Sequence, residues 1–232
     1  MSENYYTAGK HDYMLYPDDD FADFVFRQVA KRLAPADLTG EAVELGAGMG
    51  RFSGPLVRTY SAVALVEPAA DYAKFLKKRF QAAAVTVHQL DVARFFAGDL
   101  CAKACPVYCF HLVHHLPGND RDVLFASAAA RRHKLVIIEP NYLNPLFLLQ
   151  LLLTPDMRWR EEKDYLRLHG RYFKKMAAAH GLKVSAYARF CFFPPSLTNR
   201  LLKTKFGGLL EFFEPLCALF AGSYRVIIVE PV

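Results

Sequence analysis

The sequence predicts an α/β fold with a mostly parallel sheet and helices on both of its faces. Seven short apolar runs alternate along the chain with segments whose apolar residues recur at helical spacing, which is the pattern of parallel sheets. A glycine-rich turn follows the first run and opens a helix. The chain has 232 residues, of which 53% are hydrophobic and 22% charged, so it can bury one large core.

The elements follow one another in a regular order. The first helix begins near Phe21, and Pro35 and Gly40 separate it from the first strand. The predicted strands are 42–45, 62–66, 85–87, 107–113, 135–138, 183–190 and 224–229. Further helices are predicted at 51–60, 71–80, 121–131 and 172–180. Because Pro194 and Pro195 interrupt the connection to the final run, we expect the last strand to be antiparallel.

We expect one domain over residues 1–232 with two elaborations. Residues 1–35 are predicted to form an N-terminal lid and helix. Residues 141–171 are too many for a plain connection and are predicted to form a small helical cap. The apolar stretch 206–229 is expected to line the core and a pocket rather than to contact a membrane.

The amino-acid composition restricts which binding partners and which cellular compartment we expect. The formal net charge of +6 permits binding to phosphates without requiring it. Five cysteines and an N-terminus without an apolar signal segment predict a reduced, cytoplasmic protein. The longest apolar run, 143–153, is interrupted and too short for a bilayer, so no transmembrane segment is predicted. No metal site is predicted, and the oligomeric state is left open.

The most informative segment is Val43-Glu44-Leu45-Gly46-Ala47-Gly48-Met49-Gly50. Its glycines permit a tight turn and the close approach of a ligand to the backbone. A dinucleotide-binding fingerprint requires glycine or alanine at the next position, where this chain has Arg51. Binding of a dinucleotide pyrophosphate is therefore disfavoured.

This turn resembles the E/D-x-G-x-G-x-G signature of class I S-adenosylmethionine-dependent methyltransferases. The resemblance implies a Rossmann-like fold with strand order 3-2-1-4-5-7-6. It also implies S-adenosyl-L-methionine as the methyl donor and S-adenosyl-L-homocysteine as the product. In that family the turn packs against the methionine part of the cofactor, and the acidic residue organises its ammonium group. The implied cofactor-binding residues of this segment are Glu44, Gly46, Ala47, Gly48 and Gly50.

Two later carboxylates extend the resemblance. Glu67 ends the second apolar run and is followed by Pro68, where the family binds the ribose hydroxyls. Asp91, followed by Val92, lies where the family places an acidic residue near the adenine. Either carboxylate taken alone is more often a solvated loop residue, but their order after the glycine turn favours cofactor contacts.

The fourth run leads into a histidine-rich segment, Phe110-His111-Leu112-Val113-His114-His115-Leu116-Pro117. It is similar to the L-H-H-L-P segment of small-molecule methyltransferases. His111, His114 and His115 are therefore candidates for a general base, with His111 also expected to face the cofactor. The alternative is that His114 and His115 only cap or pack the following helix.

The fifth run continues into Glu139-Pro140-Asn141-Tyr142, which resembles the E-P-N-x-x-N-P ending of some class I methyltransferases. Asn141 and Tyr142 are candidate substrate-binding residues because open α/β sheets bind ligands at this edge. Tyr13, in the predicted lid, is a third candidate. Proline and asparagine also form ordinary turns, so the alternative is a structural role.

The predicted reaction is methyl transfer from S-adenosylmethionine to O, N, S or C of a small, largely apolar metabolite. Abundant apolar residues between 143 and 220 favour such an acceptor. An isoelectric point near 9.0 keeps an RNA methyltransferase as one alternative, although no base-methylation motif is present. The other alternative is a catalytically silent binding module that retains the fold.

Overall fold

Helices and strands alternate in the computed structural model, which describes residues 20–81, 84–98, 100, 103–141, 143–145, 149, 166–191, 193 and 195–232. The strands are β1 (Glu41–Leu45), β2 (Ala62–Val66), β3 (Val85–His88), β4 (Pro106–Phe110), β5 (Lys134–Pro140), β6 (Leu182–Phe190) and β7 (Tyr224–Pro231). The helices are α1 (Asp20–Ala30), α2 (Ser53–Thr59), α3 (Ala70–Arg79), α4 (Val92–Ala97), α5 (Gly118–Ala130), α6 (Gly170–Ala179), α7 (Pro195–Leu202) and α8 (Gly207–Ala221). Short 3₁₀ turns lie at Pro35–Leu38 and Val113–His115.

The strands form one sheet in the order β3-β2-β1-β4-β5-β7-β6. Strands β1 to β5 are parallel to one another, whereas β7 lies antiparallel between β5 and β6. The predicted strand order and the antiparallel last strand are confirmed. Parallel strands joined by helices bring their carboxyl ends to a single edge, which is where ligands bind in such sheets.

Alternating side chains of the central strands divide the core between the two faces of the sheet. On β4, Tyr108 and Phe110 pack with residues of α1, α2 and α3. Val107 and Cys109 point to the opposite face and pack with residues of α4, α5 and α6. Because both faces of the sheet centre are covered, β4 and β5 are buried and read as continuous apolar runs in the sequence.

The fourth strand ends earlier than predicted. The apolar run continues to Val113, but β4 ends at Phe110. His111 has a φ of 53°, which turns the chain out of the strand, and Val113 begins the 3₁₀ turn. Helix α4 was also not predicted, because its six residues are too few to show a helical period.

Helices α7 and α8 form an insertion that connects β6 to β7. The connection begins and ends at the carboxyl edge, because Phe190 and Pro140 both pair with Tyr224. Residues 224–229 of β7 lie in the core, as predicted, whereas α8 carries exposed apolar side chains that were not predicted. The exposed apolar side chains of this region are Phe206, Leu209, Phe212, Phe213 and Leu216. Among the described residues, no helix has the length and apolar character required to cross a membrane.

Gly222, which joins α8 to β7, has no room for a side chain. A Cβ atom there would lie 2.7 Å from the backbone nitrogen of Phe190 and 2.9 Å from its carbonyl oxygen. We expect Gly222→Ala to lower the free energy of unfolding by about 1–3 kcal/mol, because backbone atoms must move. Urea denaturation measures this loss. Gly118→Ala is the control and should be close to neutral, since a Cβ at Gly118 meets no atom within 4 Å; equal losses in both variants would contradict the steric explanation.

Candidate active site

The glycine turn after β1 borders open space at one position. Gly46, Gly48 and Gly50 all have left-handed φ angles, of 68°, 55° and 77°. A Cβ at Gly46 would lie 2.7 Å from Leu112 Cδ1, and one at Gly50 would lie 2.8 Å from Leu76 Cδ2. A Cβ at Gly48 would meet nothing within 4 Å. The first and third glycines therefore permit packing, whereas Gly48 borders open space.

The carboxylate of Glu67 fixes the glycine turn. Its Oε2 accepts a hydrogen bond from the backbone N–H of Gly48 at 2.8 Å, and its Oε1 accepts one from the N–H of Ala69 at 2.9 Å. Burial raises the pKa of Glu67, while the two backbone hydrogen bonds act in the opposite direction. Each carboxylate oxygen has two lone pairs, so this group retains capacity to accept hydrogen bonds from a ligand.

Glu44 lies buried beneath the same turn. Its Oε2 accepts a hydrogen bond from the Ser53 hydroxyl at 2.5 Å. Burial raises the pKa of Glu44 to about 8, although the Ser53 hydrogen bond and the charge of Arg79 lower it. At neutral pH this carboxyl group is therefore mostly protonated, and a nearby cation would favour its ionised form. The hydrogen bond from Ser53 to Glu44 was not predicted from the sequence.

Asp91 follows β3 and caps α4. Its Oδ1 accepts a hydrogen bond from the backbone N–H of Arg94 at 2.7 Å, and its Oδ2 lies 3.5 Å from Arg94 Nε. The side chain of Asp91 is 44% exposed, so capping leaves it accessible. Val92 is buried behind it, and Pro68 is exposed after β2. The cofactor contacts of these residues stay predictions.

The buried pair of Glu139 and His114 organises the histidine-rich segment. Glu139 Oε2 lies 2.5 Å from His114 Nδ1, and its Oε1 accepts a hydrogen bond from the backbone N–H of Val113 at 2.7 Å. Burial alone would raise the pKa of Glu139, but the charge and hydrogen bond of His114 outweigh burial and lower it. On the other side of the turn, Arg121 Nε donates to the carbonyl oxygen of Val113 at 2.9 Å. The contacts of Glu139 and Arg121 with this segment were not predicted.

The three histidines have different environments. His114 is only 3% exposed, whereas His111 and His115 are half-buried. The His111 ring stacks on Tyr224 with a centroid distance of 4.9 Å, and its backbone N–H donates to the carbonyl oxygen of Ile138. His115 lies against His114, with ring centroids 3.8 Å apart. His111 is thus accessible at the strand end, and His114 is held by a carboxylate.

Asn141 connects the end of β5 to the start of β7. Its Nδ2 donates to the carbonyl oxygen of Gly222 at 2.6 Å, and its Oδ1 accepts from the N–H of Leu143 at 3.3 Å. Asn144 Nδ2 donates to Ser223 Oγ at 3.0 Å. These contacts are those of a structural turn. The substrate role of Asn141 stays a prediction.

Several predicted residues share one edge of the sheet. The glycine turn, Glu67, Asp91, His111 and Asn141 each follow a different parallel strand at its carboxyl end. A direct contact joins Gly48 to Glu67. Tyr13, Tyr142, residues 1–19 of the predicted lid and most of the predicted cap lie outside the described residues.

Known proteins match this chain in structure but not in sequence. No protein-family model and no curated protein matches the sequence. A SAM-dependent methyltransferase from Archaeoglobus fulgidus superimposes with a TM-score of 0.60 at 16% identity, over 94% of this chain and 99% of the other. The chain has the class I methyltransferase fold.

Other proteins with the class I methyltransferase fold extend this comparison. Magnesium protoporphyrin IX methyltransferase from Synechocystis, with bound SAH, has a TM-score of 0.55 and 16% identity, over 91% of this chain and 83% of that one. A small RNA methyltransferase has a TM-score of 0.57 and 12% identity, over 93% of this chain but 26% of its own. These neighbours share the fold while differing in the acceptor that their names state.

Proposed function

We propose that this chain uses its class I methyltransferase fold to transfer a methyl group from S-adenosylmethionine to a small, largely apolar acceptor. The observation that carries this proposal is Gly48, a left-handed glycine that borders open space and is clamped to Glu67 at the carboxyl edge. When bound, the cofactor supplies an activated methyl group on its sulfonium. The protein then contributes mainly binding and orientation.

The residues around the turn fit the chemistry of this cofactor. Gly48 lets a ligand approach the backbone, and Glu67 offers carboxylate oxygens to ribose hydroxyls. Glu44 supplies a negative charge for an ammonium group once it ionises. Asp91, partly exposed after β3, is proposed to lie beside the adenine. Ala47, Pro68 and Val92 complete the proposed lining.

We propose that, of the three histidines, His111 lies nearest the methyl group that is transferred. Its half-buried ring follows β4 and stacks on Tyr224, so it is fixed in orientation and accessible from the carboxyl edge. A histidine there can accept a proton from an O, N or S nucleophile. We assign His114 a positioning role, because Glu139 holds its ring within a nearly buried turn. His115 stays a second candidate base.

A labelled-methyl assay tests the proposed reaction. Purified protein is incubated with S-adenosylmethionine labelled in the methyl group and with separate extracts of small molecules and RNA. We expect the labelled methyl group to enter an organic-soluble small molecule, and the Gly48→Arg substitution should abolish this methyl transfer. Label in RNA alone would contradict the proposed acceptor class. Cofactor binding without transfer to either extract would favour a silent binding module.

Cofactor binding is expected to release a proton from Glu44. Its pKa of about 8 in the free protein should fall when a cationic ammonium group binds nearby. The complex then binds fewer protons than the free protein, so affinity for S-adenosylhomocysteine should rise with pH and level off above about 8. The expected slope approaches about tenfold per pH unit below that value. Calorimetry in buffers of different ionisation enthalpy measures the released proton.

Glu44→Gln is the matched control for this linkage. The amide has nearly the same shape but cannot ionise, so the variant should bind more weakly and release no proton from this position. A wild-type affinity that is independent of pH between about 6 and 8 would contradict the assigned role of Glu44.

A further inference from the structure

Helix α8 carries an apolar stripe on its solvent side. The residues of the stripe recur at helical spacing and include Leu209 (53% exposed), Phe212 (75%), Phe213 (45%) and Leu216 (59%). Phe206, at 52% exposure, extends the stripe just before the helix. Scattered exposed apolar residues are normal, but a row on one helix face marks an interaction surface.

The opposite side of α8 is anchored to the protein. Gly207 is buried, and Glu211 Oε1 lies 2.5 Å from Arg27 Nη2 of α1. The helix also packs against β6. The orientation of the stripe is therefore fixed by contacts with the rest of the fold.

Basic residues lie at the beginning of this surface. Arg200, Lys203 and Lys205 are exposed, and Lys205 Nζ lies 5.4 Å from the ring centroid of Phe206. Residues 200–216 contain these three basic residues and two acidic ones, Glu211, which is paired with Arg27, and Glu214. An apolar helix face bordered by lysine and arginine is the combination that binds the interface of an anionic bilayer.

We propose that the α8 stripe and these basic residues dock the protein on an anionic membrane surface. The apolar side chains enter the boundary between headgroups and acyl chains, and the cations contact lipid phosphates. A second copy of the chain could cover the stripe, but the same surface on that copy is also net basic, whereas an anionic bilayer supplies phosphates along its whole interface. Charge complementarity therefore favours the bilayer. This inference goes beyond the proposed methyl transfer and does not depend on it.

The experiment is co-sedimentation of the full chain with vesicles of phosphatidylcholine, with or without phosphatidylglycerol. We expect binding to vesicles that contain phosphatidylglycerol, weaker binding to phosphatidylcholine alone, and a decrease with added salt. Phe212→Ser with Leu216→Ser should reduce partitioning by at least about tenfold, and Lys203→Glu with Lys205→Glu should do the same. Leu100→Ser is the control. Leu100 is an apolar residue that is 45% exposed, but it precedes β4 and is not part of the α8 stripe, so its replacement should leave vesicle binding unchanged.

All four proteins, the wild type and the three variants, are first compared by circular dichroism, so that loss of binding is not mistaken for loss of folding. Absence of wild-type binding to phosphatidylglycerol vesicles would overturn the proposal, as would unchanged binding of the Phe212 and Leu216 variant. Sedimentation equilibrium without lipid tests the competing occupant of the stripe, which is a second copy of the chain. A wild-type dimer that the same apolar substitutions dissociate, together with no vesicle binding, would assign the stripe to a second copy.

Discussion

Replacing Glu139 by alanine is expected to destabilise the protein by about 3–5 kcal/mol, because it removes one partner of a buried, hydrogen-bonded pair. The carboxylate is fully buried and binds both His114 Nδ1 and the backbone N–H of Val113. Without it, these groups lose their acceptor in a site closed to water. Urea denaturation monitored by circular dichroism measures the loss.

Glu139→Gln separates charge from shape. Its amide oxygen can still accept the Val113 hydrogen bond, so we expect a smaller loss, of about 1–3 kcal/mol. The folded-state pKa of Glu139 lies below the ordinary value of 4.5, so its ionisation stabilises the fold above that value. This contribution disappears as pH falls through the folded-state pKa. The difference between wild type and Glu139→Gln should therefore shrink in acid, and a constant difference would contradict the assigned charge interaction.

Gly48→Arg is expected to weaken S-adenosylhomocysteine binding by at least about 100-fold, or roughly 3 kcal/mol. The arginine side chain would enter the open space beside the turn, and its φ of 55° is strained for any residue with a Cβ. Calorimetric titration of folded protein measures the affinity.

Gly40→Arg is the matched control for Gly48→Arg. Gly40 also has a left-handed φ, of 77°, and open space at its Cβ position, but it precedes β1 at the opposite end of the strand. Both variants should lose similar stability, whereas Gly40→Arg should retain cofactor affinity. Equal affinities in the two variants would remove Gly48 from the proposed cofactor site.

Features with a local signal could be predicted from the sequence. The central strands β4 and β5 are buried on both faces, so each reads as an apolar run, and the glycine turn follows from three residues that adopt left-handed φ. The strand order came from the family resemblance rather than from the runs themselves. Once the order is known, the placement of Glu67, Asp91 and His111 at one edge follows from the strand ends.

Long-range contacts left no such signal. Glu139 pairs with His114, 25 residues away, and nothing in either segment specifies the partner. The end of β4 depends on the left-handed backbone of His111, a conformation that histidine rarely adopts. The apolar content of α8 predicted burial, yet its stripe faces solvent, because composition does not reveal which helix face meets the core.

The most direct measurement for the central claim is a calorimetric titration of the wild-type protein with S-adenosylhomocysteine, with NAD as the comparison ligand. We predict saturable binding of one S-adenosylhomocysteine per chain. We predict no binding of NAD, because Arg51 stands where the dinucleotide-binding fingerprint requires glycine or alanine. Absence of S-adenosylhomocysteine binding to folded protein would contradict the proposed cofactor site at the glycine turn.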